Sequence, residues 1–253
     1  YKKISEQLQK KGIKLRDNSD TEVLFQSLNN LGIEKTLSLI DGMFAFAYFI
    51  GNKNTLYLAR DRMGEKPLFY AKKNNSLYFC SELSGITSSN VFNTNDIDKD
   101  SIINFLQLDY IPHDKTLINN IFKVLPGQLI KFENNTITKK QYYVANQNKK
   151  LDISLDEAIN NLDSLLLESV KDRLVADVPV GVFLSGGIDS SLIAYYAKKL
   201  DSDIQSFTIK MENDSYDESE YAKLVAKNLN IKNNIAKFNN NEIIKSLEFI
   251  EEK

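Results

Sequence analysis

An apolar run, Val178-Pro179-Val180-Gly181-Val182-Phe183-Leu184, passes without a polar break into Ser185-Gly186-Gly187-Ile188-Asp189-Ser190-Ser191. An uninterrupted apolar stretch of this length is the pattern of a buried parallel strand, and parallel neighbours need a crossover long enough to hold a helix. The residues on both sides supply such helices. Ser154-Leu155-Asp156-Glu157 has capping-box spacing, and Leu155, Ile159, Leu162, Leu166, Val170 and Leu174 then trace one face of a long helix. After the glycines, the pattern predicts a helix over 189–200, a strand over 204–209, a helix over 217–229 and a third strand over 234–238. That alternation is βαβαβ, a doubly wound parallel sheet.

The loop between the first strand and its helix sits where open α/β sheets place ligands. Two adjacent glycines let the main chain approach a phosphate closely, and the unpaired amides of the following helical turn attract negative charge. Ser185 and Ser190 add hydroxyl donors, and Asp189 can hold a magnesium ion against a pyrophosphate. The GxxxxGK[ST] spacing of a Walker A loop is absent. Ser-Gly-Gly alone also suits an ordinary strand-to-helix connection in which glycine relieves strain and a serine or aspartate caps the helix.

The first half follows different rules. A short lysine-rich helix over 4–11 ends at Gly12, and Ser19-Asp20-Thr21-Glu22 opens a second helix with Leu24, Leu28 and Leu31 on one face before Gly32. From Gly42 the period changes to two. Short aromatic strands are expected over 44–49, 55–59, 66–70 and 77–80, separated by polar turns, and an antiparallel meander is the simplest account. A helix over 99–108 and a hairpin about Leu125-Pro126-Gly127-Gln128, with Pro-Gly at the centre of a type II turn, complete this half. Between Asn146 and Lys150 no apolar residue occurs, which places a domain boundary there and gives domains over 1–146 and 150–253.

The 253 residues, 42% hydrophobic and 26% charged, exclude a disordered or collagen-like chain. A net charge of −2 gives no pull toward nucleic acid or an anionic membrane, and the longest apolar candidate, Met43 to Ile50, is strand-sized. Cys80 is the single cysteine, so neither an internal disulfide nor a cysteine-based zinc site can form, which fits a reducing compartment, the cytoplasm. The chain opens Tyr1-Lys2-Lys3, with neither an initiator Met nor an apolar signal segment, and reads as an internal fragment.

Ser185-Gly186-Gly187-Ile188-Asp189-Ser190, taken whole, is the signature of an ATP pyrophosphatase loop, which acts on ATP between the α and β phosphates during adenylation. The blocks 18–23, 41–47, 59–68 and 81–83 resemble the glutaminase domain of glutamine-hydrolysing asparagine synthetases, and 174–191 and 216–222 continue the resemblance. It implies a truncated N-terminal-nucleophile-type glutaminase domain of antiparallel sheets and helices, followed by a truncated ATP pyrophosphatase domain, an α/β and α+β protein overall. Asp20 is implied to receive the α-amino group of glutamine. Leu184, Ser185, Gly186, Gly187, Asp189, Ser190 and Ile209 are implied to bind ATP, with Asp189 on Mg2+. The substrates implied are glutamine, aspartate and ATP, and relatives are often homodimers.

Glutaminases of this class use an N-terminal cysteine nucleophile. This chain begins with Tyr1, and Cys80 lies in an apolar strand, where it is a small buried hydrophobe. The family's upstream arginine and Asn-Gly donors, and its downstream Ser-Gly-x-Gly-x-Asp-Glu motif, are not in the sequence, so no glutaminase activity and little synthetase activity are expected of the chain itself. Arg60 and Asp61 read as an ion pair fixing a strand end, and His113, with no cysteine or histidine cluster, as a loop residue without a catalytic or metal role. Tyr216-Asp217-Glu218, following Ser215 at capping-box spacing, reads as a helix N-terminus. The alternatives are a ligase of the β-lactam synthetase or macrolactam cyclase kind, a surface-polysaccharide amidotransferase, and a non-catalytic nucleotide-binding module.

Overall fold

The computed structural model describes residues 1–145, 150–212 and 217–238. They divide into two compact units, 1–149 and 150–253. The polar stretch at 146–149 lies outside the described residues. No helix among those described is long and apolar enough to cross a membrane.

The first unit opens with three helices, α1 (Lys2–Lys10), α2 (Asp20–Leu31) and α3 (Ile33–Leu39). Gly32, with φ +80°, ends α2 and starts α3, a helix the spacing does not announce. Strands β1 (Ala45–Ile50) and β2 (Thr55–Arg60) form an antiparallel sheet with β6 (Gln128–Glu133) and β7 (Thr136–Gln141) in the order β1-β2-β6-β7. A second antiparallel sheet has the order β4-β3-β5, from β3 (Phe69–Lys73), β4 (Ser76–Cys80) and β5 (Ile121–Lys123). Between β4 and β5 lie α4 (Leu83–Thr87) and α5 (Lys99–Leu108).

Period-two alternation assigns neighbouring residues to different cores. Leu58 and Ile130 join Tyr70 between the two sheets, while Ala59 and Leu129 face Leu37 and Ile40 of the helical layer. Ala71, next to Tyr70, packs instead with Ile86 and Ile121. The unit is thus helix, sheet, sheet, helix. The single meander expected from the sequence is therefore corrected to two sheets. Pro126-Gly127 does form the turn, with Gln128 N–H donating to Leu125 O at 3.1 Å and Gly127 at φ +64°. The turn joins no hairpin, because β5 pairs with β3 and β6 with β2. The hairpin is β6-β7, closed by Asn134 and Asn135, both at positive φ.

Where the chain leaves β2 for the second sheet, Asp61 is fully buried. Its carboxylate accepts from the main-chain N–H groups of Phe44 (3.3 Å), Met63 (3.1 Å), Glu65 (2.9 Å) and Lys66 (3.0 Å). Arg60 donates to the carbonyls of Lys66 (2.8 Å), Val124 (2.8 Å) and Gly64 (2.6 Å). The expected ion pair between these two is corrected: each side chain is committed to the backbone instead. Burial alone would raise the Asp61 carboxyl, but the four N–H donors outweigh it and hold the group below the ordinary carboxylate range. Beside it, burial and the Asp61 charge push Tyr142 up to about 12, and its hydroxyl donates to Arg60 O at 2.6 Å.

In the second unit α6 (Leu155–Arg173) precedes β8 (Gly181–Phe183), α7 (Ile188–Leu200), β9 (Gln205–Met211), α8 (Ser219–Leu229) and β10 (Lys232–Phe238). The strands are parallel, in the order β10-β9-β8. They advance in one direction, so the right-handed crossovers α7 and α8 cover the same face, half of a doubly wound arrangement. Val182, Leu184, Ser206 and Thr208 are buried, whereas Phe183 is 82% exposed and Ile209 55%. The expectation of a strand buried on both faces is corrected accordingly. The stripe on α6 is covered only at its end, through Leu166, Val170 and Leu174; Leu155, Ile159 and Leu162 are exposed.

Replacing Asp61 by Asn leaves buried N–H groups facing an amide that offers one acceptor atom, and the expected loss of unfolding free energy in urea titration is roughly 2–4 kcal/mol. Because the native carboxyl titrates below its unfolded value, the stability it contributes is present above about pH 4 and is lost as pH falls through the native pKa. Unfolding free energy measured against pH falls more steeply below about pH 4 in the wild type than in Asp61→Asn.

Candidate functional site

The loop between β8 and α7 is organised by two serines. Ser185 and Ser190 hydroxyls lie 2.9 Å apart, Ser190 Oγ also donates to Gly187 O at 3.2 Å, and it accepts from Ser185 N–H at 3.3 Å. Gly187 N–H donates to Ser185 Oγ at 3.3 Å. Gly187 stands at the N-cap of α7 with no side-chain cap, and the first intrahelical bond runs from Ser191 N–H to Gly187 O at 3.0 Å. The amides of Ile188, Asp189 and Ser190 thus head the helix, where the dipole favours an anion.

The two glycines have different tasks. Gly186, at φ +90°, lies against the start of α8, where a Cβ would sit 2.5 Å from Tyr221 Cβ and 2.6 Å from Ala222 N. Gly187 has an ordinary φ of −67°, and a Cβ there would meet nothing nearer than Ser185 Oγ at 3.5 Å. The first glycine brings the loop close to α8; the second faces open space. Asp189 is exposed in the first turn of α7, and its carboxylate has no bonding partner among the described residues. A carboxylate with neighbouring hydroxyls is an oxygen donor set that suits magnesium. No group of three or more His, Cys, Asp and Glu among the described residues could hold a metal, so such an ion would lean on ligand phosphates.

Leu184 and Ile209 are placed apart. Leu184 is buried in the core on the helix side, with its N–H donating to Phe207 O at 2.9 Å and its carbonyl accepting from Thr208 Oγ1 at 2.7 Å. Ile209 faces the open side and lines, with Phe183, Phe207, Asn234 and Ala236, a depression of about 290 Å³. Thr208 and Asn233 lie behind the loop; on β9 Ser206 and Thr208 alternate with Phe207 and Ile209, a legible signal, whereas Asn233 stands in the all-polar run Lys232-Asn233-Asn234 and carries none.

Asp20 is the first residue of α2 in the other unit. Ser19 is its N-cap, accepting from Glu22 N–H at 3.1 Å, so the Asp20 carboxylate is not needed as a cap. The capping box is half made: Glu22 accepts from Arg16 N–H at 3.1 Å and Ser19 N–H donates to Asp17 at 2.8 Å. Asp20 is exposed at the positive end of α2 and accepts from Thr21 Oγ1 at 3.2 Å. Cys80 is half-buried and packs beside Ala71 and Ile86, and His113 sits in a loop at φ +59°. Asp217 serves the N-terminus of α8, accepting from Ser219 N–H at 3.1 Å and its hydroxyl at 3.0 Å. Ser215 and Tyr216 lie outside the described residues.

Residues 1–143 match the family described as glutamine amidotransferase domain, and residues 161–251 the one described as asparagine synthase. The chain is 35% identical to asparagine synthetase [glutamine-hydrolyzing] 1 of Bacillus subtilis over 92% of its own length and 36% of that protein. It is 33% identical to putative asparagine synthetase [glutamine-hydrolyzing] 2 of Methanocaldococcus jannaschii, over 86% of this chain and 42% of the other. Similarity at 29% extends to amidase chyE of Penicillium rubens, over 91% of this chain and 36% of the other. The chain thus spans 36–42% of the length of these relatives.

The glycine pair yields a contrast. Gly186→Ala combines a positive φ with a backbone clash and is expected to lower stability by roughly 2 kcal/mol or more in denaturant titration. Gly187→Ala, whose methyl group meets nothing nearer than Ser185 Oγ at 3.5 Å, is expected to leave that midpoint in place in the same titration.

Proposed function

We propose, from the premise that this chain belongs to the glutamine amidotransferase domain family, that it is part of a glutamine-hydrolysing asparagine synthetase. Its amidotransferase domain spans 1–146 and its synthetase domain begins at 150. The observation that carries the reading is the pairing, in one chain, of that family match with a strand-loop-helix whose helix amides have no side-chain cap and whose exposed Asp189 carboxylate stands in the same first turn, where a cation could bridge it to a phosphate.

In the proposed reaction glutamine and water give glutamate and ammonia. Aspartate attacks the α phosphorus of ATP through its side-chain carboxylate, and pyrophosphate leaves to give β-aspartyl-AMP. Ammonia then displaces AMP, so the products are asparagine, AMP, pyrophosphate and glutamate. Asp20 holds the α-ammonium of glutamine through charge-assisted hydrogen bonds. Ser185, Gly186, Gly187 and Ser190 cradle the phosphates, their amides fixed before negative charge develops on the leaving pyrophosphate. Leu184 and Ile209 flank the nucleoside, one through its main chain and one through its exposed side chain. Asp189 would hold magnesium, which when bound would neutralise charge on the leaving group. The single cysteine and the modest net charge support a cytoplasmic enzyme without nucleic-acid or membrane partners, and we propose a homodimer as its assembly.

A second reading is adenylation of a carboxylate other than aspartate; the similarity extends to a Penicillium rubens protein named an amidase and not an asparagine synthetase. Release of pyrophosphate from ATP by the enzyme containing this chain separates the two: the first reading requires aspartate among the carboxylates offered, and nucleotide binding without turnover would overturn both. Asp20→Asn is expected to lower kcat/KM for glutamine by roughly 10- to 100-fold while ammonia-dependent turnover stays unchanged. Asp189→Asn is expected to raise the magnesium concentration needed for half-maximal pyrophosphate release.

A further inference from the structure

Behind the loop lies a polar cluster on the helix-covered face of the sheet. Thr208 Oγ1 stands 2.7 Å from Leu184 O and 3.1 Å from the Asn233 carboxamide, whose oxygen end is also 3.1 Å from Ser206 Oγ. In that orientation the Asn233 amide nitrogen is buried with no hydrogen-bond partner. A hydroxyl has one proton. Leu184 O can only accept, so the Thr208 proton belongs to it, and the Asn233 atom facing Thr208 has to be a donor. The two ends of a carboxamide have the same shape, and their partners decide which faces where. Turned over, the amide nitrogen meets two hydroxyl oxygens.

The carbonyl that Thr208 holds and the N–H of Ser185 belong to one peptide unit. That N–H donates to Ser190 Oγ. The last peptide before the glycines is therefore clamped at both ends, from β9 at its oxygen and from α7 at its nitrogen. We propose that Asn233 and Thr208 are positioning residues for the loop: the Asn233 Nδ2–H donates to Thr208, Thr208 donates to Leu184 O, and this fixes the plane of the 184–185 peptide, hence where Ser185 and Gly186 meet a triphosphate. The chemical class of ligand rests on the function proposed above; the hydrogen-bond chain does not.

The test uses the 253-residue chain. In the wild type, 15N-edited NOE spectra are expected to show cross-peaks from the Asn233 side-chain amide protons to Thr208; their absence, with cross-peaks elsewhere, overturns the amide orientation. Thr208→Val keeps the shape and removes the proton. It is expected to speed hydrogen exchange at Ser185 N–H by about tenfold while the β9–β10 amides stay protected, and to weaken magnesium-ATP binding by a similar factor. Thr208→Ser restores both. Unchanged Ser185 exchange in Thr208→Val overturns the positioning role, and so does failure of Thr208→Ser to rescue. If Thr208→Val is globally unfolded, the wild-type NOE pattern and the exchange of Thr208→Ser decide. If the enzyme containing this chain binds no magnesium-ATP while the exchange results hold, the functional reading fails and the clamp stands.

Discussion

The first unit depends on one buried carboxylate. A chain passing from one sheet of a sandwich to the other must turn within a few residues, and a turn under two sheets buries main-chain amides that no strand can pair. Asp61 answers for four of these amides, and Arg60, one residue earlier, answers for three carbonyls of the same region. Alternation along β2 sends neighbouring side chains to opposite sides, so the two charges organise different stretches of backbone. Gly127 N–H and Gly64 N–H close onto Asp61 O at 2.7 and 3.2 Å, which draws the Pro126 turn into the same knot. The β2-β6 pairing and the crossing from β5 to β6 both begin at this point.

The second unit solves a different problem, keeping main-chain donors open rather than satisfied. The phosphate-binding role proposed for the loop requires amides that stay unpaired without collapsing, and here the rigidity comes from the loop's edges. Ser190 reaches back to the entering peptide, Gly186 rests on α8, and Thr208 holds the carbonyl of Leu184, just after β8. On the function proposed above, the open amides between these anchors would not have to reorganise when charge arrives, which is the condition for electrostatic stabilisation to be effective.

Several elements were legible because their cause is local. Ser19 and Ser154 cap the helices their spacing predicts, Lys99–Leu108 is helical over the expected span, and Pro126-Gly127 makes the expected turn. What failed was pairing and cover. A strand's aromatic residues do not state which sheet it joins, so Lys66-Pro67-Leu68 read as strand although it is part of the crossing around Asp61. The run at 178–184 read as doubly covered, yet cover depends on where later helices pack, and Phe183 remains on the open face. Adjacent opposite charges suggested an ion pair between Arg60 and Asp61, because sequence shows charge and not the carbonyls and amides that folding brings to it.

Sequence by itself determined the helix starts, the turns, the change of period between the halves and the chemical content of the loop, since each is set by residues within a few positions of one another. Tertiary structure decided how seven strands of the first unit divide between two sheets, which face of the parallel sheet is covered, and which glycine approaches another element and which stays open. It also decided that Thr208 and Asn233, 24 and 49 positions after Leu184, stand behind the loop. The physical reason is the same in each case: strand pairing and packing join residues far apart in the chain, and a donor or an apolar side chain carries no record of the partner it will find.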